Sequence, residues 1–186
     1  MTTNDVRDAL LTQIKNKAVV HGKVTLSSGI EADYYVDLRR VTLDGEAAPL
    51  VGQVLLDLTR QHGLEFDAVG GLTMGADPVA GAMLHASAAR GERLDAFVVR
   101  KAAKAHGMQK RVEGPEIKGR RVVVVEDTST TGGSPLEAVQ AVREAGAEVV
   151  AVVTIVDRAT GAAEKITEGA GVPYLFAFSK DELGLD

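Results

Sequence analysis

The residues with the clearest chemical purpose form one unbroken string, Val122 to Ser134, which reads VVVVEDTSTTGGS. Gly132 and Gly133 let the main chain take positive φ and let an anion come close to backbone amides. Thr128, Ser129, Thr130, Thr131 and Ser134 add hydroxyl donors. Pro135 suits a first helical position, where oriented N–H groups and the positive end of a helix dipole meet the loop. A phosphate fits such a loop. Glu126 and Asp127, just before it, would repel that phosphate unless they face something else. Carboxylates accept hydrogen bonds from a ribose diol and can help hold Mg²⁺ indirectly. A glycine-rich turn alone reads as a helix cap, but a strand, two acids, hydroxyls, two glycines and a helix in this order are far more specific. The P-loop pattern GxxxxGK[ST] is absent, since Gly70 to Gly75 continues into Ala76, and so is GxGxxG. Nucleoside triphosphates and dinucleotides are therefore poorer ligands to expect.

A second string, Arg100 to Arg111 (RKAAKAHGMQKR), carries five Lys/Arg residues, one His and no acid. Most charge runs are solvated loops. This one follows an expected strand, where ligands bind in open α/β sheets. A departing pyrophosphate needs cations where its charge grows, and a loop made flexible by Gly107 can bring them in and exclude water.

The elements that must position these loops follow from periodicity. Asn4 to about Lys15 reads as an amphipathic helix with Asn4 as N-cap. Val24 to Leu38 suggests a short β element around Ser27-Ser28-Gly29 and Tyr34-Tyr35-Val36. Leu50 to Leu58 mark a helix ending near Gly63. Strands are then expected at Phe66–Gly70, Ala96–Val99, Arg121–Val125, Val149–Val156 and Tyr174–Phe178, with helices over Pro78–Arg90 and Pro135–Ala145. Valine-rich runs without polar alternation are strands covered on both faces. The expected fold is α/β: a doubly wound, mainly parallel sheet flanked by helices, with the first 45 or so residues forming a small hood or cap. One domain over residues 1–186 is expected, with no second domain.

Composition narrows the function classes. The 186 residues are 45% hydrophobic and 25% charged, ordinary for a soluble domain. A net charge of -5 argues against a surface built for nucleic acid. No cysteine is present, which removes disulfides, thiolate metal sites and a cysteine nucleophile. The polar start MTTNDVRDALL is no signal peptide, and no apolar run is long enough to span a bilayer, so a cytoplasmic protein is expected. His21, His62 and His85 are scattered without metal-ligand spacing and read as structural, and no protein metal site is expected.

VVVVEDTSTTGGS resembles the signature by which type I phosphoribosyltransferases bind 5-phosphoribosyl-1-pyrophosphate (PRPP). The resemblance implies that Glu126 and Asp127 engage the ribose hydroxyls and that Thr128 to Ser134 cradle the 5-phosphate. Arg100-Lys101-x-x-Lys104-x-His106-Gly107 is similar to the catalytic loop of the orotate phosphoribosyltransferases and sets the subfamily. It implies that Arg100, Lys101, Lys104 and His106 bind PRPP, in a homodimer whose loop reaches into the partner's site, with Lys101 catalytic there. By the same resemblance Arg158 holds the orotate carboxylate, Thr130 contacts the pyrimidine, and Tyr34-Tyr35 lie near the base. Mg²⁺ is expected to arrive with PRPP. Many relatives carry lysines where this chain has Ser27 and Gly75, so those two PRPP contacts are expected to differ. A purine-type phosphoribosyltransferase would explain the signature but not the basic loop or Arg158. A PRPP-sensing regulator would need a basic face or an added DNA-binding domain.

Overall fold

The computed structural model describes residues 2–25, 31–102 and 110–185. Helix α1 (Thr3–Gln13) is capped by Thr2, not Asn4. Thr2 Oγ1 accepts from Asp5 N at 3.2 Å while Asp5 accepts from Thr2 N at 2.7 Å. This reciprocal box satisfies two orphan donors, which Asn4 could not do from inside the first turn. A single wide π-helical turn (Ile14–Ala18) leads into strand β1 (Val19–Thr25), which pairs antiparallel with β2 (Glu31–Val36) as a separate two-stranded sheet. A short α2 (Arg39–Thr42) and a longer α3 (Ala48–Gln61) follow.

From there the chain alternates: β3 (Ala68–Leu72), α4 (Ala76–Ala89), β4 (Asp95–Val99), β5 (Val112–Glu113), β6 (Arg121–Ser129), α5 (Gly133–Glu144), β7 (Glu148–Asp157), α6 (Ala162–Ala170) and β8 (Tyr174–Ser179). The main sheet has the order β5-β4-β3-β6-β7-β8, parallel throughout except for β5, which runs antiparallel to β4. The valines of β6 show why it is buried on both sides. Val123 and Val125 pack with Val69, Val153 and Ile155 under the layer formed by α1, α3 and α4. Val122 and Val124 pack with Phe97, Val99 and Val152 under α5 and α6. This is the doubly wound sheet the valine runs predict. Strand β5 and helix α6 are additions: β5 is only two residues long, while α6 does carry a helical period, burying Ala162, Ile166 and Ala170 on one face.

Two consequences position the site. First, β3 leads to β4 on one side while β6 leads to β7 on the other, so their carboxyl ends diverge and leave a crevice between them. Second, the hood is narrower than residues 1–45. Val6 and Leu10 of α1 are buried in the main core. Among the described residues before α3, it is Tyr34 and Val36 to Arg39, from the end of β2 and the turn after it, that line the spaces at the carboxyl ends of the strands.

Candidate active site

The crevice holds a cavity of about 390 Å³. Its walls come from Thr73–Gly75 after β3, Glu126–Pro135 from β6 onward, Asp37–Arg39 after the hairpin, and Lys101 after β4.

One wall is a ready anion cradle. Gly132 caps α5 at φ 74°, and a Cβ there would come within 2.9 Å of Ile166 Cγ1. Glycine is thus required twice, by conformation and by packing against α6. Helix α5 starts at Gly133, which puts Pro135 third rather than first. Any of these positions suits proline, because first-turn N–H groups have no intrahelical partner. No acid lies in that first turn, so the N–H groups of Gly133 and Ser134 face the cavity unopposed. Thr131 and Ser134 make no side-chain hydrogen bond among the described residues, leaving their hydroxyls for a ligand. Thr128 and Ser129 differ from the expectation. They are the end of β6, and their hydroxyls turn toward β7, to Val156 O at 3.2 Å and Asp157 Oδ1 at 3.0 Å. Both still line the cavity, but the uncommitted hydroxyls and the helix start lie within Thr130 to Ser134.

The opposite wall is acidic. Glu126 is 6% exposed, and its carboxyl is pushed up to about 8, first by burial and then by the charge of Asp127. Burial raises Asp127 as well. Asp127 Oδ1 accepts from Thr128 N at 2.7 Å, which aims the carboxylate along the cavity wall. Gly75 packs directly on Glu126, since a Cβ there would lie 2.2 Å from Glu126 Oε1. A lysine side chain at this position would displace the buried acid. Nearby, Thr73 Oγ1 donates to Asp77 Oδ2 at 2.6 Å, while Asp77 Oδ1 is buried without a hydrogen-bond partner among the described residues. Arg39 balances these acids: it pairs with Asp37 at 2.9 Å, which holds the Asp37 carboxyl below its usual range. Thr73 and Asp77 lie in the Gly70–Pro78 string, which by the family resemblance is a pyrophosphate loop before a helix. Asp37 and Arg39 were not singled out from the sequence, where the polar DLRR turn after an aromatic strand was their only signal.

The basic string divides. Lys101 is exposed and lines the cavity. Arg100 does not line it, because its guanidinium is drawn toward Glu113 on β5 at 3.7 Å. Arg111 closes the base of the loop, donating to Arg100 O at 2.9 Å and Lys101 O at 3.1 Å and pairing with Glu137. Lys104 and His106 lie outside the described residues, as does Ser27.

A smaller pocket of about 90 Å³ adjoins the cavity, with Tyr34, Val36, Arg158 and Lys180 in its lining. Val36 lines both spaces, and Arg158 Nη1 reaches Thr130 Oγ1 at 3.5 Å between them. Tyr35 lines neither, because successive strand residues point to opposite faces. The expected aromatic pair is therefore a single tyrosine. Beneath lies a polar hub: the Tyr174 hydroxyl meets Ser129 Oγ at 2.6 Å, Thr154 Oγ1 at 2.9 Å and Asp157 Oδ1 at 3.1 Å. Burial pushes the Tyr174 phenol up to about 12. Asp157 Oδ2 also accepts from Ala159 N at 3.1 Å, holding a non-glycine residue at φ 53°. Thr160 Oγ1 donates to Thr130 O, so the Arg158 segment and the phosphate loop are tied along their length.

A doubly wound sheet with a strand-to-helix anion cradle, an acid pair before it and a lysine across the cavity defines a phosphoribosyl transferase domain, and that family matches residues 45–172. Orotate phosphoribosyltransferase of Streptomyces avermitilis is 86% identical over 98% of this chain and 100% of its own length. That of Corynebacterium glutamicum is 57% identical over 98% of this chain and 96% of its own. The crystal structure of Mycobacterium tuberculosis orotate phosphoribosyltransferase in complex with PRPP superposes with a TM-score of 0.83 at 50% identity, covering 97% of this chain and 99% of that one. The chain belongs to the orotate phosphoribosyltransferase family.

Proposed function

We propose that the chain transfers the phosphoribosyl group of PRPP to N1 of orotate, giving orotidine 5'-monophosphate and pyrophosphate in pyrimidine synthesis. The observation that carries this is the junction of two unlike spaces at Thr130 and Arg158: an anion cradle with an acid wall, and a small cationic pocket beside it. Thr130 to Ser134 hold the 5-phosphate through main-chain N–H groups and hydroxyls. Glu126 and Asp127 accept from the ribose hydroxyls. Arg158 takes the orotate carboxylate, for which a planar guanidinium is suited, and Thr130 and Tyr34 contact the ring.

The C1'–O bond to pyrophosphate breaks as the C1'–N1 bond forms, through an oxocarbenium-like transition state comparable to that of glycoside hydrolysis. The acceptor supplies the nucleophile, so the protein's part is orientation and charge stabilisation. Lys101 meets the charge growing on the leaving pyrophosphate. Bound Mg²⁺ supplies further neutralisation of the diphosphate. The donor set fits an ion held mostly by PRPP oxygens and water, with Glu126, Asp127 and the unpartnered Asp77 oxygen nearby; among the described residues no three His, Cys, Asp or Glu group to hold a metal. The reading includes a cytoplasmic homodimer in which Lys101 serves the neighbouring subunit's site, and no nucleic-acid or membrane partner. Among the described residues no helix is long and apolar enough to cross a membrane.

Loss of orotate absorbance, with and without PRPP and Mg²⁺, tests the reaction. Consumption only when both are present, with pyrophosphate released, is the expected result. Faster reaction of adenine, guanine or hypoxanthine would overturn the choice of acceptor.

A further inference from the structure

We propose that Lys180 is a second cation for the carboxylate of the acceptor base, and thereby a specificity-determining residue of the small pocket. This rests on the reading that the base occupies that pocket. Lys180 follows β8, the outermost strand, whose carboxyl end lies beside that of β7, where Arg158 sits. Both residues line the same space of about 90 Å³, and no carboxylate lines it with them. Neither makes an ion pair among the described residues, in a chain with 26 acids against 21 Lys and Arg.

Asp181, next in the chain, is exposed, does not line the pocket and makes no ion pair among the described residues, and the other nearby acids are occupied elsewhere. Asp157 accepts from Ser129, Tyr174 and Ala159 N, as described above. Glu182 pairs with Arg7 at 2.6 Å and accepts from Ser179 N at 2.9 Å. The turn that carries Lys180 is fixed in place: Lys180 N donates to Asp157 O at 2.9 Å, Arg7 donates to Ala177 O at 2.7 Å and stacks 4.5 Å over the Phe178 ring, and Leu183 and Leu185 are buried. A half-buried ammonium without a counter-ion beside a guanidinium without one repels it unless an anion joins them. The other walls are Val36, Val156, Leu183 and Leu185, with hydroxyls at Tyr34 and Thr160. Apolar faces with two cations on one side suit a flat ring bearing one carboxylate. The guanidinium takes both oxygens in its plane, and the ammonium, a point charge, meets one of them from the β8 side.

The test compares Lys180→Met, which keeps length and apolar stem, with Lys180→Arg, which keeps charge, in steady-state assays of the full chain. For Lys180→Met, KM for orotate should rise about tenfold while KM for PRPP and kcat stay within about twofold, the scale of one charged hydrogen bond lost at a partly exposed site. Lys180→Arg should recover most of the affinity. The rise should shrink at high salt, as an ionic contact requires and a packing defect does not. An unchanged KM for orotate in Lys180→Met, an equal rise in both KM values, or failure of Lys180→Arg to restore binding would each overturn the proposal. Absence of orotate turnover by the unaltered protein would instead overturn the acceptor reading beneath it.

Discussion

The two halves of the site are built by opposite means. The sugar-phosphate half is nearly contiguous: Glu126 to Ser134 run from the end of β6 through a glycine-capped helix start, and much of what they offer is main chain. The base half is assembled from side chains far apart in sequence, Tyr34 on the hairpin, Arg158 after β7 and Lys180 after β8. Phosphate is common to many ligands, and a backbone cradle recognises it with little dependence on distant packing. A particular base needs charges and a shaped wall, which only the folded topology brings together. Conserving the first and varying the second would change the acceptor without changing the donor.

The largest expected effect concerns Lys101, which lines the sugar-phosphate half. If Lys101 meets charge only as pyrophosphate leaves, Lys101→Ala should lower kcat by about 10²–10³-fold, with much smaller changes in either KM. If it serves the neighbouring subunit, co-refolding Lys101→Ala with Asp127→Ala should restore activity in mixed dimers, up to about half the unaltered value, because one of the two sites then carries neither defect. No recovery in dimers shown to be mixed would place the lysine in its own chain's site and blur the division between halves.

Arg158→Ala sharpens the comparison further. Losing one charged hydrogen-bonding group costs about 1.5–3 kcal/mol, so orotate binding should weaken by one to two decades, roughly. PRPP binding should hardly change, which calorimetry with each ligand separately would show. Equal weakening of both would mean the ties between Thr130 and the Arg158 segment make the two halves one unit.

This division also explains what the sequence made legible. The valines of β6 and the hydroxyl and glycine string after it were readable because their order along the chain is their order in space. Within that string, Ser129 could not be read correctly, since its partners Asp157 and Tyr174 are 28 and 45 residues away. Tyr34 and Tyr35 looked alike until strand alternation separated them. Arg100 and Lys101 are both expected to bind PRPP, but Glu113, on a two-residue strand with almost no pattern, draws the arginine aside. Lys180 was within reach: the rule that ligands lie beyond carboxyl ends applies to β8 as to the others, but its loop carries no string that stands out.

The smallest effect expected is one of stability, and it separates the acid wall from everything else in the cavity. Glu126 is buried in the C-terminal half of β6, with the backbone of Gly75 against its carboxyl group and Asp127 beside it. Its pKa is raised from 4.5 to about 8, so between those values the folded chain binds a proton that the unfolded chain has released. Stability then falls as pH rises through that window, because the slope follows the difference in protons bound by unfolded and folded states. Asp127 is raised too and acts in the same direction. Glu126→Gln keeps the shape and the acceptor for Asp127 N but removes the charge. Its melting temperature should therefore match the unaltered chain near pH 4.5 and exceed it increasingly toward pH 8. Activity should fall in the same variant above about pH 8, where the native carboxyl is ionised and the neutral amide is a weaker acceptor for ribose hydroxyls. Scanning calorimetry of both proteins across this pH range, without ligand, would show it. A gap that stays constant with pH would mean Glu126 is already ionised in the folded chain, and that Gly75 leaves room for solvent to reach it.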